Sequence, residues 1–492
     1  MSDSRSELGP APANHFARMI RIVILPTGAP LVAADEYVKR YRSQGDVPTL
    51  RAYRGAFYLW TGTHYRDYPQ EKIEADLYAF LGEALAIAKN GDFGPYNPTK
   101  NKVGEVLHAL RRGLQIDRER EMPCWLREQA DRSGKNLVAC QNGFLNLETR
   151  ELMSHDPQFF TTNCLPLNYD PNAPQPQRWF QFLRELWPED RSAEDCLQEI
   201  FGYLLTHDTK QHKLFCLVGP KRAGKGIIAS VLAELLGHEN VVYPTLKSMA
   251  GEFGRWPLID KQLAIIADAR LGPRADAHAV AEHLLSISGG DPQTINRKNQ
   301  SFWNGRLGVR FLITTNELPA IADASGTLSS RFVMLVMRVS FYGREDLSLK
   351  EKLRPELAGI LNWALDGLDR LRERGHFEMP PSSLESIRQL EDLGSPVSAF
   401  LRDWCETEIT NQANVKLLYA AYRVWSEEAG QRPLARHVFG KALHAVVPTL
   451  GTSGRGMARS YVGVDLSAEG RQEYEAARAS SRTRTEGQLG RR

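Results

Sequence analysis

The sequence contains no Cys-x-x-Cys pair. Its six cysteines, Cys124, Cys140, Cys164, Cys196, Cys216 and Cys405, stand far apart, which argues against a zinc ribbon or a disulfide framework. Buried free thiols in a reducing compartment are the expectation. Also missing is any apolar run near the roughly 20 residues of a membrane-spanning helix. Residues 20–25 are apolar but too few for the core of a signal peptide, and no cleavage pattern follows them. These absences lead to the expectation of a cytoplasmic protein with no membrane partner. Charge of one sign is scarce as well. The 62 Lys and Arg against 59 Asp and Glu leave a formal charge of +3, too small to identify a partner, so the placement of charge matters more than its sum. What remains is ordinary globular composition, 42% hydrophobic and 25% charged over 492 residues, enough for roughly three domains.

Apolar spacing predicts helices over 71–89 and 102–114 and hairpins over 57–65 and 137–147. Four prolines mark a linker at 166–178. A helical stretch over 178–210 is followed by alternating strands and helices to about residue 345, the pattern of an α/β fold. Further on come a long amphipathic helix at 357–371, a second linker at 379–383, and a small mixed domain. The expected organisation is therefore an extension (1–45), a helical and mixed domain (46–175), an α/β core (178–345), a helix and linker (346–380), a C-terminal domain (395–466) and a flexible polar tail (467–492). No internal repeat is visible.

The chemistry concentrates in the α/β stretch. Residues 214–218 are continuously apolar, as in a buried parallel strand. Gly219, Pro220, Lys221, Arg222, Ala223, Gly224 and Lys225 follow, and then Ile227, Ile228, Val231, Leu232, Leu235 and Leu236 recur with helical period. Strand, glycine loop and helix form the context of a nucleotide phosphate site. The backbone N–H groups curl around a phosphate, Lys225 neutralises its oxygens, and the helix N-terminus adds partial positive charge. The residue after the lysine is Gly226, so the hydroxyl that usually ligates Mg²⁺ is missing and water is left to fill that position.

Three further strand-like runs carry polar residues at their ends. Asp268 follows 263–267, where a carboxylate can hold Mg²⁺ directly or through water. Asn316 follows 309–315 and suits a γ-phosphate sensor. Arg331 precedes 332–337 and suits either a transition-state cation for a neighbouring site or a plain surface charge. Between them, residues 296–310 hold four cations and no acid, and a hairpin there places Arg297 and Lys298 near its tip, suited to phosphate contact.

In this order Gly219–Lys225, Asp268, residues 289–298, Thr315-Asn316 and Arg331 resemble the superfamily 3 helicases. The closer likeness is to the phage and plasmid primase-helicase family, related to the poxvirus primase-helicase, in which glycine often stands after the loop lysine. Residues 142–147, 159–163 and 359–364 look like that family's flanking segments, so the resemblance covers roughly 45–466. It implies an AAA+-type ATPase core, with Lys225 on phosphate, Asp268 on Mg²⁺ and water, Asn316 as sensor, Arg331 acting on a neighbour and Lys298 on DNA. It further implies ATP as substrate, Mg²⁺ as cofactor, a hexameric ring moving 3′ to 5′ on single-stranded DNA, and a phage or plasmid element in a bacterial host.

Residues 417–464 read as helix, turn, helix and a glycine-tipped hairpin, the pattern of a winged helix. From 431 to 463 there are five Lys or Arg and no acid, and Arg436, Lys441 and Arg455 are the candidate contacts to duplex DNA. The first 175 residues show no cysteine metal cluster and no convincing pair of metal-binding carboxylates on a strand. The expectation is thus a helicase working with a separate primase. A bifunctional primase-helicase and an origin-binding initiator whose ATPase drives assembly remain the alternatives.

Overall fold

The protein is described from a computed structural model, over residues 23–87, 91–127, 134–267, 277–298, 300–318, 327–454, 456 and 459–489. It forms two compact units. The first comprises 1–134 with 155–162, the second 135–154 with 163–492.

The first unit is built on three helices, Pro30–Tyr41, Gln70–Gly82 and Lys100–Gly113. The third shows why it forms: Thr99 caps it by accepting from the Lys102 amide, and Val103, Val106, Leu107 and Leu110 are buried at helical spacing. The helix expected over 71–89 stops at Gly82. Leu85–Ile87 is instead a strand, paired in parallel with Ile24–Pro26. Residues 24–45 are accordingly no separate extension, since Leu25, Ala33, Ala34 and Tyr37 lie in this unit's core. The expected hairpin is present as Ala56–Trp60 and Tyr65–Asp67, with Leu50–Tyr53 added on its other side.

The boundary between units does not fall at the linker over 166–178. Residues 135–154 form the predicted hairpin, Leu137–Cys140 against Gly143–Asn146, but Val138, Cys140, Leu145 and Leu147 pack into the core of the second unit. The chain then returns, and Phe159–Phe160 pairs with Cys124–Trp125 in the first unit.

In the second unit we label the strands β1 (Leu214–Val218), β2 (Val241–Val242), β3 (Leu263–Ala267), β4 (Gln293–Arg297), β5 (Gln300–Gly305), β6 (Arg310–Thr315) and β7 (Phe332–Val336). The main helices are α1 (Gln177–Leu186), α2 (Arg191–Leu205), α3 (Lys225–Leu236), α4 (Ala277–Ser288) and α5 (Leu357–Arg374). The stretch expected as one helix over 178–210 is two, because the chain ahead of Pro188 cannot continue in helical conformation. Five strands form a parallel sheet in the order β2-β3-β6-β1-β7. Alternation sorts its side chains: Phe215, Leu217, Ile265, Leu312, Val333 and Leu335 face a core shared with α1, α2, α3 and α5. Leu214, Cys216, Ile266, Ile313 and Met334 face a second core that includes α4 and the β4–β5 hairpin. Helices α2 and α5 are joined by the buried carboxylate of Glu199, which accepts from Arg370 Nε at 2.9 Å and from Arg374 Nη2 at 2.5 Å.

C-terminal to this layer, a helix at Pro381–Gly394 begins inside the linker expected over 379–383. Helices Pro396–Trp404, Val415–Glu428 and Arg436–Val446 then surround Phe400, Tyr422 and Phe439. An antiparallel sheet places Ser460–Val462 between Gln412–Asn414 and Gly451–Ser453. The tail expected to be flexible forms a helix, Ala468–Leu489, whose Tyr474 is buried in the same cluster. Four of the six cysteines, Cys140, Cys164, Cys196 and Cys216, are buried. No helix among the described residues is long and apolar enough to cross a membrane.

Candidate nucleotide and nucleic-acid sites

The loop after β1 is shaped by two glycines. A Cβ on Gly219 would stand 2.5 Å from the Met337 carbonyl oxygen, where β7 runs beside the loop. Gly224 has φ +84° and would press a side chain against Leu186 and Phe182 of α1. Arg222 also takes a positive φ, 60°. The loop is tied down from outside, with Phe341 N–H donating to the Arg222 carbonyl at 3.0 Å and Ser340 Oγ to the Lys221 carbonyl at 2.9 Å. No side chain caps α3, and of its first amides Ile227 donates to the Gly224 carbonyl at 2.9 Å; an uncapped helix start suits an anion.

Lys225 begins α3 and folds back over the loop. Its Nζ donates to the carbonyls of Gly219 at 2.6 Å and Pro220 at 2.7 Å, and to Asn316 Oδ1 at 3.0 Å. Burial lowers its pKa, with Cys216 acting weakly the other way; the thiol of Cys216, deep in the sheet, is pushed up to about 12. Asn316 reaches Lys225 because β6 lies directly beside β1, with Val218 opposite Thr315. Asp268, one residue past β3, lies outside the described residues. The ideal Cβ position at Gly226 has nothing within 4 Å, room in which water can stand for the missing hydroxyl. Among the described residues no cluster of His, Cys, Asp and Glu is fit to hold a metal ion alone.

Arg331 sits at the other edge of the sheet. Leu214 is level with Phe332 and Val218 with Val336. From the level of Arg331 to that of Gly219 is six strand rises, roughly 20 Å. Its guanidinium donates to the Leu285 carbonyl at 2.8 Å and to Ser288 Oγ at 3.0 Å, at the end of α4. The structure therefore brings Lys225 and Asn316 together and keeps Arg331 away from them.

The predicted hairpin is β4–β5. Lys298 is exposed in its turn. Arg297 is not a free contact: it follows Gln293 and Ile295 on the inner face and is 9% exposed. On the C-terminal helix Arg436–Val446, Phe439 and Leu443 point inward while Arg436, His437, Lys441 and His444 are exposed. Arg455 lies outside the described residues.

Three families match successive parts of this chain. The family described as D5 N terminal like matches residues 39–188, a family of unknown function (DUF5906) matches 217–331, and the one described as Poxvirus D5 protein-like matches 395–458. The two D5-type matches support the expected likeness to the phage- and poxvirus-type primase-helicases. Among solved structures, the apo structure of the NrS-1 C terminal region has a TM-score of 0.50 at 11% identity. It covers 89% of this chain and 100% of that one, which shows a shared fold. Two further apo structures of that region cover the same shares at 9% and 11% identity, with TM-scores of 0.48 and 0.49.

The match over 217–331 runs from the loop strand to Arg331. Sequence reasoning missed the floor of the loop. Phe182 and Leu186 belong to an apolar stripe that reads as plain core, and Trp187 donates to the Val336 carbonyl at 2.8 Å just before Met337. Nothing in the local pattern separates these residues from other core positions.

Proposed function

We propose that the chain is an ATP-dependent DNA helicase that acts as a ring, each ATP site being completed by Arg331 of an adjacent subunit. The observation that carries this reading is the separation of Lys225 and Arg331 by the length of the sheet. One chain holds the phosphate-binding half of a site at one edge and a candidate transition-state cation at the other. The strand order, with β6 between β1 and β3, supports an AAA+-type core.

In this reading the γ-phosphate draws Lys225 off the two loop carbonyls and onto its own oxygens. Asn316, already at 3.0 Å from the ammonium, then orients the attacking water. Asp268 would hold Mg²⁺, with water beside Gly226 as a further ligand, and the ion supplies charge neutralisation on the phosphates. Lys298 contacts single-stranded DNA from the hairpin. The basic face around Arg436 and Lys441 contacts duplex DNA, in a winged helix whose wing is the strand pair 451–462.

Salt-titrated anisotropy and strand displacement test this together. Each phosphate contact contributes about −0.7 to the log–log salt slope on single strands. Lys298→Ala should flatten that slope and stop unwinding while duplex binding survives. Arg436→Ala with Lys441→Ala should weaken duplex binding and spare translocation on a preloaded strand. The exposed basic helix also favours a second reading, an origin-binding initiator. ATP-dependent oligomerisation without strand displacement would select it. Primer synthesis from nucleoside triphosphates would select the bifunctional primase-helicase instead.

A further inference from the structure

The outer face of the β4–β5 hairpin is polar with one exception. Ile295 pairs directly with Trp303, and both are buried. The register shifts between the Ile295–Trp303 and Arg297–Gln300 pairs, and in this irregular stretch of β5 Phe302 is 61% exposed. Around it on that face, Thr294 Oγ1 donates to Asn304 Oδ1 at 2.8 Å and Asn296 donates to Glu252 at 2.7 Å. Phe302 is two residues from Gln300, the partner of Arg297 at the turn, so it stands at most roughly 7 Å from the turn that carries Lys298. Residues 292–316 contain no Asp or Glu.

A single exposed apolar residue is ordinary. An exposed aromatic face close to an exposed cation, on a hairpin without acids of its own, has a specific complement, namely a nucleobase joined to its phosphate. We propose that Phe302 is a stacking platform for a base of single-stranded nucleic acid, working beside Lys298 on the backbone. The proposal rests on reading the hairpin as the single-strand contact. Stacking is indifferent to base identity, which suits a contact that must accept any sequence.

The test is salt-titrated anisotropy of the full chain with labelled oligothymidylate. Phe302→Ala should weaken binding about 5- to 150-fold, the range of one base–aromatic stack, while leaving the salt slope unchanged because no charge is lost. Phe302→Trp should bind as wild type. Phe302→Leu, similar in apolar bulk but without a ring, should fall with alanine. A leucine variant as tight as tryptophan overturns the platform. So does a Phe302→Ala variant that binds normally while Lys298→Ala is weakened. Loss of the oligomeric state in Phe302→Ala by sedimentation would make the residue a subunit contact and overturn the proposal too. If instead Lys298→Ala keeps both wild-type affinity and slope, the hairpin reading itself fails.

Discussion

The two edges of the parallel sheet hold their cations in contrasting ways. At the edge where β1 and β6 end, Lys225 is bonded by the loop carbonyls of Gly219 and Pro220 and by Asn316 Oδ1. At the edge where β6 and β7 begin, the cations are locked into the fold. Arg310 is 3% exposed and donates to the carbonyls of Leu204, Thr206 and Gly308, and Arg331 is held by the end of α4. The first edge holds its cation through three oxygen atoms. The second is built to hold a geometry, with Arg331 half-buried and Lys213 beside it donating to the Ser330 carbonyl at 2.8 Å.

The largest test of this contrast is Lys225→Ala. Turnover of ATP should vanish with the fold intact, read by a DNA-stimulated ATPase assay alongside circular dichroism; undiminished turnover would sink the phosphate-site assignment. Next in size is Arg331→Ala, expected to lower hydrolysis by ~10³-fold or more, the scale of transition-state arginines, while ATP still binds. Mixing the two variants should restore part of the activity, since some mixed interfaces regain both groups. Absence of rescue would count against a shared site.

A smaller pair of substitutions probes the loop itself. Gly219→Ala forces a Cβ to 2.5 Å from the Met337 oxygen and should cost about 1–3 kcal/mol of stability. The same change at Gly226, in the first turn of α3 with nothing within 4 Å, should add about 0.5–1 kcal/mol. Urea unfolding of both variants checks the sign, and a like sign would refute the loop geometry. Finally, His207, just past α2 at the Arg310 edge, has its pKa lowered to about 3 by burial and then by the Arg310 charge. The folded site refuses a proton that the unfolded chain takes up near pH 6.5. The stability is fully present above that value and is lost as pH falls toward 3, by about 2 kcal/mol at about pH 5. Melting curves of His207→Gln should lose this acid sensitivity; an unchanged acid slope would rule out His207 as its source.

The loop was legible in the sequence because strand, glycines and helix are adjacent, and each has its own local period. The same holds for the β4–β5 turn and for helices 415–428 and 436–446. What was not legible depends on partners remote in the chain. Residues 85–87 read as helix until residues 24–26 arrive as a parallel neighbour. Arg297 reads as a surface cation until the hairpin's alternation turns it inward beside Ile295. The Lys225–Asn316 contact follows only once β6 is known to lie against β1. The edge on which Arg331 falls follows only from the register of β7. Gly226, read as a loss at the Mg²⁺ site, is also open space.

The return of residues 155–162 to the first unit makes the hairpin over 135–154 an insertion in the sequence order, so no single cut separates the two units. A fragment starting at residue 163 would lose Val138, Cys140, Leu145 and Leu147 from its interior. One ending at 134 would lose the Phe159–Phe160 strand. During synthesis on the ribosome, the first unit cannot close until residue 162 has emerged, by which time the first hairpin of its successor is already exposed. Excising or swapping the N-terminal module as a contiguous block would therefore injure both products, and a graft that respects the fold must carry two segments and leave a third behind.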